Sequence, residues 1–220
     1  MTPSLAHRLA AEALGSLFLF ACVVGSGIMA ERLADGNVAV ALLANSLATG
    51  AILFVLISWL GPISGAHMNP AVSMVAAMRR ELAPSEFPAY LLAQLSGGVA
   101  GVIAANLMFD LPPVEISGKF RGGVGHWLGE ALATFGLVLT ILGTVRNRPG
   151  AVPAAVALYI TAAYWFTSST SFANPAITVA RSLSDSFAGI APASVPGFVV
   201  AQLAGALAAA VIARELIDQA

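Results

Sequence analysis

The sequence predicts an all-α membrane protein of six transmembrane helices and two re-entrant half-helices, arranged as an inverted repeat. Three observations carry that prediction. Charged residues make up 10% of the 220-residue chain and hydrophobic residues 58%, with a mean hydropathy of +0.86; a soluble domain carries about a quarter charged residues. Six apolar segments are long enough to cross a bilayer, which takes roughly 20 helical residues. Two shorter segments each open with Asn-Pro-Ala.

The spans are expected at about 9–30, 38–60, 87–109, 126–145, 151–167 and 194–213. The first follows Arg8 and reaches Ala30, too long for a signal-peptide h-region, so it reads as a retained span. Polar or turn-rich stretches separate the spans at Glu31–Asn37, Arg79–Glu86, Asp110–Gly123 and Arg146–Gly150. The longest holds Pro112, Pro113, Gly118, Gly122 and Gly123, a loop composition. The fifth span is short and ends at the Ser/Thr stretch Thr167–Thr170. No tail or linker suggests a second domain, so residues 1–220 are read as one channel domain.

The segments near 69–79 and 174–184 are too short to span but suit half-helices that enter and return. Asn followed by Pro is an N-cap followed by the residue best suited to the first helical position. The two halves, about 8–109 and 124–214, echo each other. Glu12 is matched by Glu130, Asn69-Pro70-Ala71 by Asn174-Pro175-Ala176, and Gln94 by Gln202, at offsets of 118, 105 and 108. With three spans per half, the second copy enters from the opposite side. The half-helices then meet near the midplane, with their positive N-terminal ends pointing at one spot.

That geometry suits a pore for uncharged solutes. The two dipole ends repel cations, and the Asn69 and Asn174 amides can donate to a passing oxygen, turning water so that it breaks a proton wire. The bland alternative is that both Asn residues only cap their helices. Glu12 and Glu130 are intramembrane carboxylates, costly unless used. They are read as acceptors for the N–H groups of the re-entrant loops, the alternative being a proton relay in a coupled transporter. His67 either lines the inner vestibule or caps loop backbone. Trp59, Tyr90, Trp127 and Trp165 are candidate interface anchors, and the interior glycines suit close helix crossings.

Several classes find no support. The net charge of −1 gives no reason to expect a nucleic-acid partner. His7, His67 and His126 share no metal-ligand spacing, and Cys22 has no second cysteine, so neither a metal nor a cofactor is expected. No constellation supports catalysis. With the N-terminus inside, six basic residues fall inside and four outside, which favours cytoplasmic N- and C-termini.

Ser64-Gly65-Ala66-His67-Met68-Asn69-Pro70-Ala71-Val72 resembles the first signature of the aquaporin and glycerol-facilitator (major intrinsic protein) family, and Phe172-Ala173-Asn174-Pro175-Ala176 resembles the second. The resemblance covers essentially the whole chain and implies an aquaporin-like hourglass monomer with its own pore, assembled as a homotetramer in a bacterial inner membrane. It also implies a second, narrower constriction. Carried over by spacing from the two motifs, its positions are Thr49, Ala162, Ser171 and Ile177. The family usually has Arg where this chain has Ile177, and its members add aromatic bulk there. Side-chain size therefore predicts a wide, mildly polar constriction. Arg181, one turn beyond Ile177, either enters the outer vestibule or snorkels to the headgroups. Bacterial members with this altered motif resemble channels associated with arsenic handling. The expected solutes are water with polyols, urea or arsenous acid; the alternatives are a strict water channel or a proton-coupled secondary transporter.

Overall fold

A computed structural model describes residues 3–217. The extreme ends of the expected 1–220 domain, residues 1–2 and 218–220, lie outside the described residues. The described chain is helical: α1 (Leu5–Leu33), α2 (Val38–Ser64), α3 (Pro70–Met78), α4 (Phe87–Met108), α5 (Val124–Asn147), α6 (Val152–Phe166), α7 (Pro175–Ala180) and α8 (Val195–Leu216). Short 3-10 turns at Pro84–Glu86, Pro149–Ala151 and Pro192–Ser194 lead into α4, α6 and α8. Six helices, counting those turns, are long and apolar enough to cross a membrane. α3 and α7 are the two short ones.

The helix ends are written locally. Ser4 caps α1 and Asn37 caps α2, each side chain accepting a backbone N–H of the first turn. Gly65 stops α2 in the left-handed conformation, φ 88°, where glycine carries no Cβ penalty. Asn69 and Asn174 cap α3 and α7, with Pro70 and Pro175 at the first helical position. The second half-helix is tighter than expected: its α-helix ends at Ala180 and Arg181–Leu183 form a 3-10 turn.

α1 packs on α2 and α4, α5 packs on α6 and α8, and α2 meets α6. The closest crossings use glycine. A Cβ on Gly97 of α4 would overlap the Ala13 carbonyl of α1, and one on Gly205 of α8 would overlap the Ala131 carbonyl of α5. Backbone cannot retreat as a flexible side chain can, so only glycine permits these approaches.

Polarity is inverted relative to a soluble protein. Phe18, Leu47, Phe54, Leu92, Leu158 and Val200 are exposed, whereas Glu12, Gln94, Glu130 and Gln202 are fully buried. An apolar exterior is stable against lipid, and the buried polar groups stay inside where protein can satisfy them. Trp59, Trp127 and Trp165 are exposed as anchors should be, but Tyr90 is buried and donates its hydroxyl to the Ser64 carbonyl at 3.0 Å. Tyr90 supports the first re-entrant loop and is not an interface anchor.

Candidate functional site

The loops that lead into α3 and α7 are held by the two buried glutamates. Glu12 accepts from the Ser64 hydroxyl at 2.7 Å and from the backbone N–H groups of His67 and Met68 at 2.9 and 2.6 Å. Glu130 accepts from the N–H groups of Phe172 and Ala173, both at 2.8 Å. Each glutamate also accepts from a glutamine amide, Gln94 at 2.7 Å and Gln202 at 2.6 Å. Those glutamines reach on to the half-helices, Gln94 donating to Ser73 and Gln202 to Thr178. A carboxylate with this many donors is stable where an unpaired one would not be.

The loop backbone is strained in the same way on both sides. Ala66 and Met68 have φ of 48° and 47°, and Ser171 and Ala173 both have 49°. Left-handed conformation in non-glycine residues costs on the order of 1–3 kcal/mol each, and the glutamate hydrogen bonds hold it in place. Strain of this kind turns part of the peptide polarity toward glutamate and leaves the rest for the centre of the fold.

There the half-helices meet. The Oδ1 of Asn69 accepts from Ala71 N–H at 2.9 Å, capping α3, while its amide donates to the Ala173 carbonyl at 2.8 Å. Asn174 does the converse, capping α7 through Ala176 N–H at 2.9 Å and donating to the Met68 carbonyl at 2.8 Å. Both Asn side chains line a cavity of about 250 Å³. Apolar residues such as Leu19, Leu53, Leu137 and Ile160 from the spanning helices line it together with residues of the two re-entrant loops and the two asparagines.

His67 lines the same cavity, with Nδ1 3.0 Å from the Ser73 hydroxyl and its ring 5.6 Å from that of Tyr90. Ser73 also accepts from the Gln94 amide at 2.9 Å, so His67 is joined to the Glu12–Gln94 network through this hydroxyl.

Of the four positions carried over for the second constriction, Thr49, Ser171 and Ile177 line the cavity together. Ala162 does not: it is on the exposed face of α6, and Tyr164 occupies the inward position, buried, with its hydroxyl 3.1 Å from Thr49 Oγ1. Each residue turns an α-helix by about 100°, so two positions reverse the face. The register of α6 had been carried across the Thr167–Thr170 turn, where helical spacing does not apply. The cavity lining therefore has a phenol where the sequence suggested a methyl group.

Arg181 is inside the protein. It is 2% exposed, lines the cavity, stacks its guanidinium 3.3 Å from the centre of the Phe172 ring and donates Nε to the Ala188 carbonyl. It does not snorkel. Arg121, from the loop between α4 and α5, lies over the same ring at 5.2 Å, held by the Gly189 and Phe187 carbonyls. Lys119 also donates to the Phe187 carbonyl, at 3.2 Å. Burial holds Arg121 below its ordinary pKa; burial, then the neighbouring Arg121 charge, does the same to Lys119. Tyr164, Phe172 and Arg121 had no role from sequence. Phe172 adjoined the second motif, but its partners come from two distant segments.

Capped half-helices meeting inside six apolar helices, beside a cavity with both apolar and polar lining residues, define a transmembrane channel for small solutes. The chain belongs to the major intrinsic protein family: the family's sequence profile matches residues 1–168. It is 55% identical over 216 residues to the aquaglyceroporin AqpS of Rhizobium meliloti (strain 1021), covering 98% of this chain and 92% of that protein. It is 31% identical over 156 residues to the lens fiber major intrinsic protein of Gallus gallus, covering 67% of this chain and 56% of that protein. The fold matches the X-ray structure of the aquaglyceroporin from Plasmodium falciparum with a TM-score of 0.77 at 21% identity, over 99% of this chain and 100% of that one. The protein is a multi-pass integral membrane protein of a family of channels.

Proposed function

We propose that this channel passively conducts water and small uncharged hydroxylated or amide solutes: polyols such as glycerol, urea, and neutral hydroxides such as arsenous acid. The observation that carries this is the mixed lining of the cavity, in which apolar residues of the spanning helices share the surface with the re-entrant loops, Asn69 and Asn174. A polyol or urea presents carbon or a flat face to the apolar residues and oxygens to the polar ones. Resemblance to a protein named as an aquaglyceroporin supports the same reading.

No covalent chemistry and no energy coupling are involved. A solute sheds water at the constriction, exchanges hydrogen bonds with the loops and the two Asn amides, and moves down its gradient. Cations meet the converging N-terminal ends of α3 and α7 together with Arg181, which opposes their passage. Glu12 and Glu130 are saturated by loop donors, which argues against their use as proton carriers.

The two halves, 8–109 and 124–214, act as an inverted repeat in one domain; the matched roles of Glu12 and Glu130, of Gln94 and Gln202, and of the two Asn residues support this. On the same reading it works in a bacterial inner membrane as a homotetramer with both termini cytoplasmic, which the excess of basic residues on the N-terminal side supports. Stopped-flow measurements on proteoliposomes with glycerol, urea and arsenous acid test the solute range. Flux of all three above the empty-liposome rate is expected; permeation by water alone would make it a strict water channel, and saturable flux driven by a proton gradient would make it a coupled transporter.

A further inference from the structure

Beyond α7 the chain turns back, and its successive carbonyls at Phe187, Ala188 and Gly189 are taken by cations. Phe187 accepts from Lys119 Nζ and from Arg121, both at 3.2 Å. Gly189 accepts from Arg121 Nε at 2.8 Å, and Ala188 accepts from Arg181 Nε. Lys119 and Arg121 arrive on the loop between α4 and α5. That loop is tied to the chain after α7 by Glu115 and Ser117, whose N–H groups donate to the Leu183 and Ser182 carbonyls at 3.0 Å. Arg121 and Arg181 also lie over one ring, Phe172, and Lys119 lies over Phe187. Carbonyls and ring faces soften a positive charge but do not cancel it.

The nearby acids are engaged elsewhere. Glu31 accepts from the Phe187 N–H at 3.0 Å, and Asp185 accepts from the Ser117 hydroxyl and the Gly118 N–H at 3.2 and 3.1 Å. None of the three cations is ion-paired among the described residues. Their mutual repulsion is felt: burial, then the Arg121 charge, holds Lys119 below its ordinary pKa. Arg181 is the most exacting of the three. It is buried and lines the cavity, yet only its Nε has an acceptor, and both terminal nitrogens lack one among the described residues. A buried guanidinium with donors unused, beside two further cations, lacks a counter-charge.

We propose that Arg181, Arg121 and Lys119 form a binding site for a small planar oxyanion of the carboxylate class, where the α4–α5 loop meets the cavity. The terminal nitrogens of Arg181 are spaced to meet two carboxylate oxygens, and Arg121 and Lys119 add charge. The anion is a resident ligand and not a transported solute. Moving on toward Asn174, it would exchange three cations for Ile177, Ile160 and neutral amides, at the desolvation cost of an unpaired charge. Seated against Arg181, it occupies cavity space that a neutral solute must cross, and so lowers flux. The site stands on the geometry of the three cations; its effect on flux rests on the channel function proposed above.

The test uses formate as the probe on the full chain, with gluconate, a much bulkier anion, holding ionic strength constant so that screening does not change. In detergent, formate is expected to raise the unfolding temperature saturably, as a ligand of the folded state does. In proteoliposomes with formate equal on both faces, glycerol flux is expected to fall severalfold along the same saturation curve. Arg121→Gln and Lys119→Gln each remove one charge and keep a hydrogen-bond donor. Each is expected to move half-saturation to about tenfold more formate, the loss of one charge-assisted hydrogen bond, measured against that variant's own formate-free values. No saturable thermal shift in the unaltered protein overturns the proposal, as does unchanged half-saturation in a variant that folds. Binding that leaves glycerol flux unchanged puts the anion elsewhere and overturns it too. A thermal shift in a protein that passes no glycerol at all would instead count against the channel reading, which keeps the two failures apart.

Discussion

Asn69 and Asn174 are fastened to each other's loops: each amide donates to the carbonyl of the residue preceding the other Asn, at 2.8 Å in both directions. Each asparagine thus caps its own half-helix with its oxygen and clamps the opposite loop with one proton of its nitrogen. The second proton of each amide is left for the cavity that both residues line. Two segments about a hundred positions apart in the chain become one rigid junction at the centre of the fold.

Replacing either asparagine by alanine removes a cap and the cross-loop bond together. Asn69→Ala or Asn174→Ala is expected to cost about 1–3 kcal/mol of stability and to reduce solute flux. Thermal unfolding in detergent and proteoliposome flux check this. Equal stability with unchanged flux would mean the junction is not needed.

Glu12 and Glu130 should be sensitive to replacement by a neutral amide. Glutamine at either site can put an amide NH2 against a backbone N–H that in the unaltered protein donates to a carboxylate oxygen. A cost of roughly 3 kcal/mol or more is expected from such a buried mismatch, seen as a lower unfolding temperature and poor recovery of folded protein. Flux through the unaltered channel should not respond to an imposed proton gradient. Coupling to that gradient would give the carboxylates a transport role.

The α1–α4 crossing allows a sharp steric test. Gly97→Ala places a methyl group against the Ala13 carbonyl, and the helices must separate, at about 1–3 kcal/mol. Gly61→Ala, where nothing lies near the added carbon, is the control and should be tolerated. A similar loss at both positions would point to helix-wide effects in place of a local clash.

Register in α6 is testable by bulk. Ala162→Phe should leave flux close to that of the unaltered protein, since position 162 is on the exposed face. Ile160→Phe, on the cavity wall, should cut glycerol flux severalfold more than water flux. The opposite order would return Ala162 to the constriction.

Ile177→Arg would introduce a second guanidinium one helical turn from Arg181, both on the cavity. Narrowing and like-charge repulsion are both expected, with glycerol flux falling more than water flux. Equal loss of the two would count against Ile177 as a constriction residue.

By itself, the sequence determined the six apolar spans, the two Asn-Pro-Ala half-helices and the pairing of Glu12 with Glu130. These follow from signals local in the chain, apolar length and cap chemistry, reinforced because each appears twice. Even the function of the two glutamates was legible, since a matched pair of intramembrane carboxylates needs donors and the re-entrant loops must supply donors. The make-up of the constriction was decided only in three dimensions. Tyr164 stands inward and Ala162 outward in α6 as it packs on α2 and α5; carrying the position back across the loop Thr167–Ser171 loses the register, and at about 100° per residue a two-residue slip reverses the face. Arg181 stays inside because Phe172 offers it a ring and Ala188 a carbonyl, and Arg121 lies over the same ring. Those partners lie on segments that meet only after folding, so no spacing in the chain announces them.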